Sequence, residues 1–195
     1  MKILVTGGLG FIGSHTVVEL QNKGFEVVII DNLSNSSIDV LDGITTITGV
    51  KPHFEKIDLK EKADVVQFFE KHKDIVGVIH FAASKAVGES VKEPLMYYEN
   101  NIGTLVYMLQ AVSKLEKQNF IFSSSCTVYG QADELPITEN APVKPAESPY
   151  GNTKQIGEEI IRDTCKVNDK LKSIALRYFN PIGAHPSAEI GELPI

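Results

Sequence analysis

The sequence predicts an α/β fold with a doubly wound parallel sheet, on the basis of three observations. Short apolar runs rich in β-branched residues alternate along the chain with segments of helical periodicity. Several of these runs are apolar on both faces, as buried parallel strands require. A glycine-rich stretch also follows the first run. The predicted strands are 3–5, 27–30, 53–57, 78–81, 120–122 and 173–176, and the predicted helices are 12–23, 63–72, 95–115 and 150–167.

Composition places the chain among globular proteins with small-molecule partners. Its 195 residues are 43% hydrophobic and 23% charged, which suits one large domain or a little more. The net charge of −6 and the absence of a basic run argue against nucleic-acid binding. The sequence contains neither a signal-like start nor about 18 consecutive apolar residues, so we expect a cytoplasmic protein without membrane association.

Cysteine and histidine spacing predicts no metal site. Cys126 and Cys165 lie far apart and are expected to be reduced thiols. His80 stands inside an apolar strand and is expected to be a hydrogen-bonded core histidine. The proline-rich stretch 130–149 predicts a long ordered loop, and such loops are usually functional or mobile.

The glycine-rich stretch reads Thr-Gly-Gly-Leu-Gly-Phe-Ile-Gly between the first strand and the first helix. Gly7, Gly10 and Gly13 permit a tight turn and close approach to a pyrophosphate, which would face the amino end of the helix. With Phe11 and Ile12 they form the predicted cofactor-binding turn of a Rossmann-type domain.

The end of the second strand predicts which dinucleotide binds. Asp31 stands about twenty residues beyond the turn, where a carboxylate accepts hydrogen bonds from the ribose hydroxyls and repels a 2′-phosphate. No arginine lies between Asp31 and Lys51, and Asn32 and Asn35 supply neutral donors. We therefore predict NAD rather than NADP.

Two further strand ends offer cofactor contacts, because ligands of open α/β sheets bind at the carboxyl ends of the strands. Asp58 and Leu59 follow the third strand, and Asp58 is predicted to contact adenine. Phe81, Ala82 and Ala83 follow the fourth. Small residues would let the dinucleotide approach the backbone, although a packing role alone remains open for them.

Tyr150 and Lys154 are the predicted proton-transfer pair, because residues at i and i+4 share one helical face. A tyrosine base near neutral pH needs its pKa lowered by roughly 3 units, or about 4 kcal/mol. The ammonium and an oxidised nicotinamide ring could supply that. Lys154 could also hold the nicotinamide ribose.

Three serines, 123–125, follow the fifth strand. Ser125 is the predicted hydroxyl that bonds a substrate oxygen and relays a proton to Tyr150, and Ser123 is a predicted cofactor contact. The alternative is a serine-rich turn whose hydroxyls bond to the backbone.

These motifs together resemble the extended short-chain dehydrogenase/reductase superfamily, and within it the epimerases that act at C4 of UDP-sugars. Further strings carry that second resemblance: FAASKAVGES from residue 81, SCTVYG from residue 125 and RYFNPIGAHP from residue 177. Related dehydratases typically have Asp-Glu where this chain has Cys126 and Thr127, and related decarboxylases usually have Glu at the position of Thr127. Neither residue performs a carboxylate's proton chemistry, so dehydration and decarboxylation are disfavoured.

The resemblance implies NAD-dependent interconversion of UDP-galactose and UDP-glucose by a cytoplasmic homodimer of galactose metabolism. It implies that Lys85 contacts the cofactor or the UDP-sugar phosphates, that Asn100 and Tyr178 lie by the nicotinamide, and that Asn180 touches the UDP-sugar. Ser125 and Tyr150 would contact the substrate as well.

The resemblance also implies a division of the chain. Residues 1–180 would form the NAD-binding domain and 181–195 the start of a truncated UDP-sugar-binding region, the carboxyl-terminal substrate domain being largely absent. We therefore expect the 195 residues alone to bind NAD weakly and to epimerise poorly or not at all. Two other functions remain open, a net NAD-dependent nucleotide-sugar dehydrogenase or reductase and a non-catalytic NAD-binding sensor.

Overall fold

A computed structural model describes residues 1–192, and these residues form the predicted doubly wound sheet. All six strands are parallel and lie in the order β3-β2-β1-β4-β5-β6. The strands are β1 (Lys2–Thr6), β2 (Glu26–Asp31), β3 (His53–Lys56), β4 (Ile75–His80), β5 (Gln118–Ser125) and β6 (Leu171–Tyr178). All six predicted strands are present, and the structure extends β5 and β6 beyond their apolar runs.

Six α-helices connect the strands, two more than the sequence pattern predicts. They are α1 (Phe11–Asn22), α2 (Val40–Thr48), α3 (Lys62–Lys71), α4 (Val87–Lys92), α5 (Pro94–Val112) and α6 (Pro149–Val167), and a 3₁₀ helix spans Cys126–Tyr129. The unpredicted helices are α2, which is rich in threonine and contains a glycine, and the six-residue α4. Intrinsic propensity is low in the first, and the second is too short to show a period.

Two apolar clusters cover the two faces of the sheet. One packs α3, α5 and α6 against inward residues such as Leu4 and Val78. The other packs α1 and α2 against residues such as Val5 and Ile29, and it includes Ile190 near the end of the described chain. Ile190 therefore packs against the sheet domain, whereas the last three residues of the predicted 181–195 region lie outside the described part.

The order of the strands reverses between β1 and β4, which opens a crevice at their carboxyl ends. The loop 130–148 follows the 3₁₀ helix and leads into α6, much as the proline pattern predicts. Within residues 1–192, no helix combines the length and the apolar character needed to cross a bilayer.

Candidate cofactor and active site

The turn between β1 and α1 has no room for side chains at two of its glycines. Gly7 has a φ of 64°, and a Cβ added there would lie 2.8 Å from the backbone nitrogen of Ala82. A Cβ on Gly13 would lie 2.2 Å from the carbonyl oxygen of Gly7. Gly10 precedes α1, and no side chain in the described structure caps that helix. Its first-turn amides are therefore suited to bind an anion.

Asp31 ends β2 and is only 8% exposed. Its Oδ2 accepts a hydrogen bond from the amide of Leu9 at 3.2 Å, and its Oδ1 accepts from the amide of Leu33 and the hydroxyl of Ser36 at 2.9 and 2.8 Å. Asp31 thus braces the glycine turn and its own loop. A carboxylate has about four acceptor positions, so these bonds leave capacity for a ligand hydroxyl.

The ends of β2 and β3 are joined by a side-chain hydrogen bond. Asn32 donates through Nδ2 to Oδ2 of Asp58 at 3.3 Å. Leu59 is buried in the core below, whereas Asn35 is exposed. Asn32 and Asp58 are thus held by a hydrogen bond and Leu59 by burial, whereas Asn35 lies on the surface loop.

Phe81, Ala82 and Ala83 follow β4 directly, on the other side of the crevice. Each is partly buried, and the backbone of Ala82 approaches Gly7 as the glycine turn requires. Phe81 lies 6.2 Å from Tyr178 between ring centroids. Close backbone packing at Ala82 shows the packing role that the sequence left open, and its contact with the dinucleotide stays a prediction.

His80 is a core histidine, which confirms the prediction. Its Nδ1 lies 2.8 Å from the hydroxyl of Thr6, and its side chain is fully enclosed. Burial, reinforced by the nearby charge of Lys154, lowers the pKa of His80 to about 3. The ring is therefore neutral at physiological pH.

Ser125, Tyr150 and Lys154 meet at the carboxyl end of β5. Ser148 caps α6 by accepting a hydrogen bond from the amide of Gly151, and Pro149 begins the helix, so Tyr150 stands in its first turn. Lys154 is 4% exposed, and its Nζ lies 5.7 Å from the centroid of the Tyr150 ring. The i, i+4 spacing therefore places both side chains at one location, as predicted.

Lys154 donates from Nζ to the carbonyl oxygen of Ser123 at 2.9 Å and lies 5.0 Å above the Phe122 ring. An ammonium has three donors, and this backbone bond uses one. Burial lowers the pKa of Lys154 to about 8, so it still carries a proton at neutral pH. The ammonium has donors left for a ligand beside Tyr150.

The ammonium of Lys154 alone does not lower the pKa of Tyr150 in the protein without a ligand. The lowering predicted from the ammonium together with an oxidised nicotinamide ring stays a prediction. Burial raises the pKa of Tyr150, and the hydroxyl of Ser125 beside it offsets only part of that rise. Desolvation of the phenolate prevails because the described chain places no charged donor directly on the phenol oxygen. Any lowering must come from a positively charged ligand.

Ser125 makes the backbone hydrogen bond that is the alternative interpretation of the three serines, and its proton-relay role stays a prediction. It is 7% exposed, and its Oγ accepts a hydrogen bond from the amide of Thr127 at 3.2 Å, as in an ordinary serine turn. Its hydroxyl proton remains available to donate elsewhere. The neighbouring Oγ1 of Thr127 is buried and has no hydrogen-bond partner within residues 1–192.

The residues assigned by resemblance occupy different environments. Asn100 donates from Nδ2 to Oγ of Ser84 at 2.9 Å. Lys85 is exposed, with Nζ 3.6 Å from Glu192. Tyr178 is half-buried at the end of β6, and Asn180 is exposed. The structure therefore places Tyr178 by the crevice, while Lys85 and Asn180 lie at the surface.

Asn101 is a structural residue that the sequence pattern missed. It is 6% exposed, and its Nδ2 donates to the carbonyl of Ser84 and to Oγ1 of Thr153 at 3.0 and 3.1 Å. Its Oδ1 accepts from the amide of Ser84 at 2.9 Å. It therefore ties the loop after β4 to helix α6, which carries Tyr150 and Lys154. A polar residue on the apolar face of a helix is the signal that could have identified it.

A second group of residues that no sequence pattern indicated supports the serine segment 123–125. Glu158 accepts two hydrogen bonds from Arg177, at 2.9 and 2.7 Å, and one from Ser124 at 2.6 Å. The Arg177 guanidinium also stacks 4.8 Å from the Tyr129 ring centroid. These contacts join β5, β6 and α6 around the cluster of Ser125, Tyr150 and Lys154. They link residues far apart in sequence, so no local pattern shows them.

Similar proteins agree with this architecture. The chain is 50% identical to a UDP-glucose 4-epimerase of Haemophilus influenzae over 100% of its own length and 57% of the relative's. A UDP-glucose 4-epimerase of Schizosaccharomyces pombe is 48% identical over 99% of this chain and 55% of its own length.

The solved structures agree as well. The UDP-glucose-4-epimerase of Stenotrophomonas maltophila, determined with bound NAD and formylated UDP-arabinopyranose, superposes with a TM-score of 0.95 at 46% identity and covers 100% of this chain and 57% of its own. The chain thus spans less than two thirds of the length of these relatives. Residues 3–192 match the model of the NAD dependent epimerase/dehydratase family. The chain therefore belongs to the NAD dependent epimerase/dehydratase family.

Proposed function

We propose that this chain is the cofactor-binding and proton-transfer part of an NAD-dependent epimerase that interconverts UDP-galactose and UDP-glucose at C4. The observation that carries the proposal is the cluster of buried Ser125 and Lys154 with half-buried Tyr150, beside a glycine turn with no room for side chains. Relatives named UDP-glucose 4-epimerase support the substrate. The activity would belong to galactose metabolism in the cytoplasm.

NAD would bind along the carboxyl edge of β1, β2 and β4. The amides at the start of α1 would hold the pyrophosphate, and the remaining acceptor capacity of Asp31 would hold the adenosine ribose. Asn32 and Asp58 would lie beside the adenine end, with Asn35 closing over it. The carboxylate of Asp31 disfavours NADP because it would repel a 2′-phosphate.

At the other end, Lys154 would donate to the nicotinamide ribose, and Asn100 and Tyr178 would border the ring. When bound, NAD supplies a hydride acceptor and donor and a positive ring charge. That charge is what Tyr150 lacks in the protein alone, where burial raises its pKa. At an effective dielectric near 20, a charge about 5 Å away contributes on the order of 3 kcal/mol, enough to lower the pKa by about 2 units.

The chain's own residues would move the proton. Tyr150 would take the proton of the sugar 4-hydroxyl, directly or through Ser125, while the C4 hydrogen leaves as hydride. The sugar then carries a ketone at C4. The keto sugar then rotates to present its opposite face. Tyr150 returns the proton to O4, and the hydride returns to the opposite face of C4. No net oxidant is consumed.

UDP-sugar binding would require groups outside the catalytic cluster. Lys85 and Asn180 are exposed and could reach a bound UDP-sugar, and residues 181–195 would begin the region that holds it. The unpartnered Thr127 hydroxyl is a further candidate for a sugar contact. A homodimer would pair α5 and α6 with their copies in a second subunit.

The test is to incubate the natural full-length protein with UDP-galactose and no added NAD, following UDP-glucose and NADH absorbance together. Product without free NADH supports the epimerase. Free NADH with oxidised sugar would show a net dehydrogenase instead, and binding of NAD without any turnover would show a sensor. In the same assay we expect residues 1–195 alone to bind NAD weakly and to turn over poorly.

A further inference from the structure

Two histidines and a glutamate converge on the sheet edge at β3, outside the cofactor crevice. Oε1 of Glu55 lies 3.2 Å from Nε2 of His53 and 2.7 Å from Nε2 of His72. The candidate ligand atoms of all three residues lie within 4.8 Å of one another. Each residue therefore offers one donor atom to a common point.

Rigid elements hold these side chains. His53 and Glu55 are two residues apart on β3, so they point to the same face of the sheet, and β3 is paired to β2. His72 ends α3, where its ring stacks on the buried Phe68 with centroids 4.4 Å apart. The two histidine rings are 5.4 Å apart. A ligand would find two of the three groups already oriented.

We propose that His53, Glu55 and His72 bind a divalent transition-metal ion, with Zn²⁺ as the preferred probe. Tetrahedral zinc has bonds of about 2.0–2.2 Å, which places its ligand atoms roughly 3.3 Å apart. The nitrogen–oxygen separation of 3.2 Å between His53 and Glu55 is close to that value, and the hydrogen bond of 2.7 Å between His72 and Glu55 would lengthen by about 0.6 Å when the ion binds. Two imidazoles and one carboxylate also form a known zinc donor set, with water in the fourth position.

The chemistry of the donors selects the class of metal. Imidazole nitrogen suits zinc, copper and nickel, whereas Mg²⁺ and Ca²⁺ prefer sites made of oxygen alone. The side chain of His53 is 54% exposed and that of His72 is 16% exposed, so an ion can enter from solvent without disturbing the core. We therefore expect zinc and its neighbours to bind, and magnesium not to.

The site is separate from the proposed cofactor site. His53 pairs with Val28, whereas Lys56, at the other end of β3, pairs with Asp31 at the carboxyl edge. A metal at this place would join an edge strand to the end of the helix that follows it. The sequence pattern predicts no metal site because His72 lies 17 residues after Glu55 and only the β3–α3 crossover brings them together.

Calorimetric titration of the metal-free protein with Zn²⁺ tests the proposal, and Mg²⁺ is titrated in parallel. We expect one zinc per chain and a higher melting temperature with zinc. In His53→Gln the dissociation constant should rise by at least about tenfold, since loss even of a ligand's outer hydrogen-bond partner typically costs about 10–100-fold. Co²⁺ should give the visible absorption of a four-coordinate site, and the same substitution should abolish it.

Two further variants separate a metal site from a hydrogen-bonded trio. Glu55→Gln keeps an oxygen that can accept from histidine but removes the negative charge, so it should weaken zinc binding while leaving the metal-free melting temperature nearly unchanged. Glu70→Gln removes an exposed carboxylate from α3 outside the cluster and should bind zinc normally. Zinc affinity equal in His53→Gln and in the unmodified protein, or no binding at 100-fold molar excess, would overturn the proposal.

Discussion

The two halves of the crevice are built by opposite means. Around Gly7 and Gly13 the backbone touches backbone, and the proposed phosphate site exists because side chains are missing. Around Ser125, Tyr150 and Lys154 the proposed chemistry depends on side chains, and Asn101 on α5 and Glu158 on α6 hold the segments that carry them. The first half should therefore be intolerant of any added atom, and the second should tolerate changes that preserve shape but should lose function.

The largest effect is expected from Gly13→Ala, which tests the glycine half. The added Cβ would lie 2.2 Å from the Gly7 carbonyl oxygen, and both groups belong to the backbone. Overpacking commonly lowers the free energy of unfolding by about 1–3 kcal/mol. We expect at least the upper end of that range here, because no rotamer relieves the clash. Urea unfolding and NAD titration should show lower stability and loss of cofactor binding.

Gly88→Ala is the matched control, because a Cβ at this helical position would have nothing within 4 Å. It should be neutral or slightly stabilising, since alanine is the better helix former by about 1 kcal/mol. If both variants bound NAD equally well, the turn would not be the phosphate site.

The second-largest effect is expected on turnover, without a change in stability. Tyr150→Phe removes the proposed acid–base group but keeps the ring, so we expect turnover to fall by about 10²–10⁴-fold with stability and NAD affinity nearly unchanged. Steady-state kinetics of the full-length protein with UDP-galactose, together with NAD titration, measures this separation. Tyr107→Phe, which removes a hydroxyl from the neighbouring helix α5, is the control and should keep full activity. Equal turnover in the two variants would remove Tyr150 from the mechanism.

A smaller effect is expected where the second half depends on remote contacts. Glu158→Gln breaks the bidentate pair with Arg177, whose side chains are 11% and 23% exposed. Removing one partner of a fully buried pair lowers stability by about 3–5 kcal/mol. Because this pair is partly exposed, we expect a loss at the lower end, about 3 kcal/mol. The carboxylate stabilises the fold at neutral pH, because Arg177 and Ser124 lower its pKa against the opposing effect of burial.

Lowering the pH should remove the contribution of the Glu158 carboxylate to stability. A carboxyl whose pKa is lowered on folding stabilises the protein above its unfolded pKa and loses that contribution as pH falls through the folded value. The stability difference between the unmodified protein and Glu158→Gln, from denaturant unfolding, should therefore shrink below about pH 4. A difference independent of pH would assign the effect to packing rather than to charge.

The smallest effect that we expect is a dependence of the free energy of unfolding on pH, caused by Lys154. Burial lowers its pKa from 10.5 to about 8, so the unfolded chain binds more protons between these values and stability should rise with pH across that window. Most of the gain, about 2 kcal/mol, should appear between pH 7 and pH 10. Denaturant unfolding of the unmodified protein and of Lys154→Met should show this gain only in the former.

Lys170→Met, at an exposed lysine, is the control and should retain the full pH dependence. A rise that persisted unchanged in Lys154→Met would assign the titration to another group. The two lysine variants together therefore isolate the free-energy cost of burying the Lys154 ammonium.

Local patterns predict most of the architecture and part of the candidate site. The four central strands follow from apolar runs, because buried parallel strands are apolar on both faces. The edge strands β3 and β6 are partly exposed and carry polar residues as well. The loop 130–148 follows from its prolines. Helix α2 escapes prediction because its three threonines disfavour a helix, and burial of Leu41 and Ile44 against the sheet overrides that preference.

The sequence by itself determined the glycine turn, the acidic residue that ends β2 and the Tyr150–Lys154 spacing, because each depends on residues close together in the chain. Only the tertiary structure decided the raised pKa of Tyr150, the bracing role of Asn101 and Glu158, and the meeting of His53 with His72. Burial and long-range hydrogen bonds arise when distant segments pack together. They therefore leave no periodic signal in the sequence.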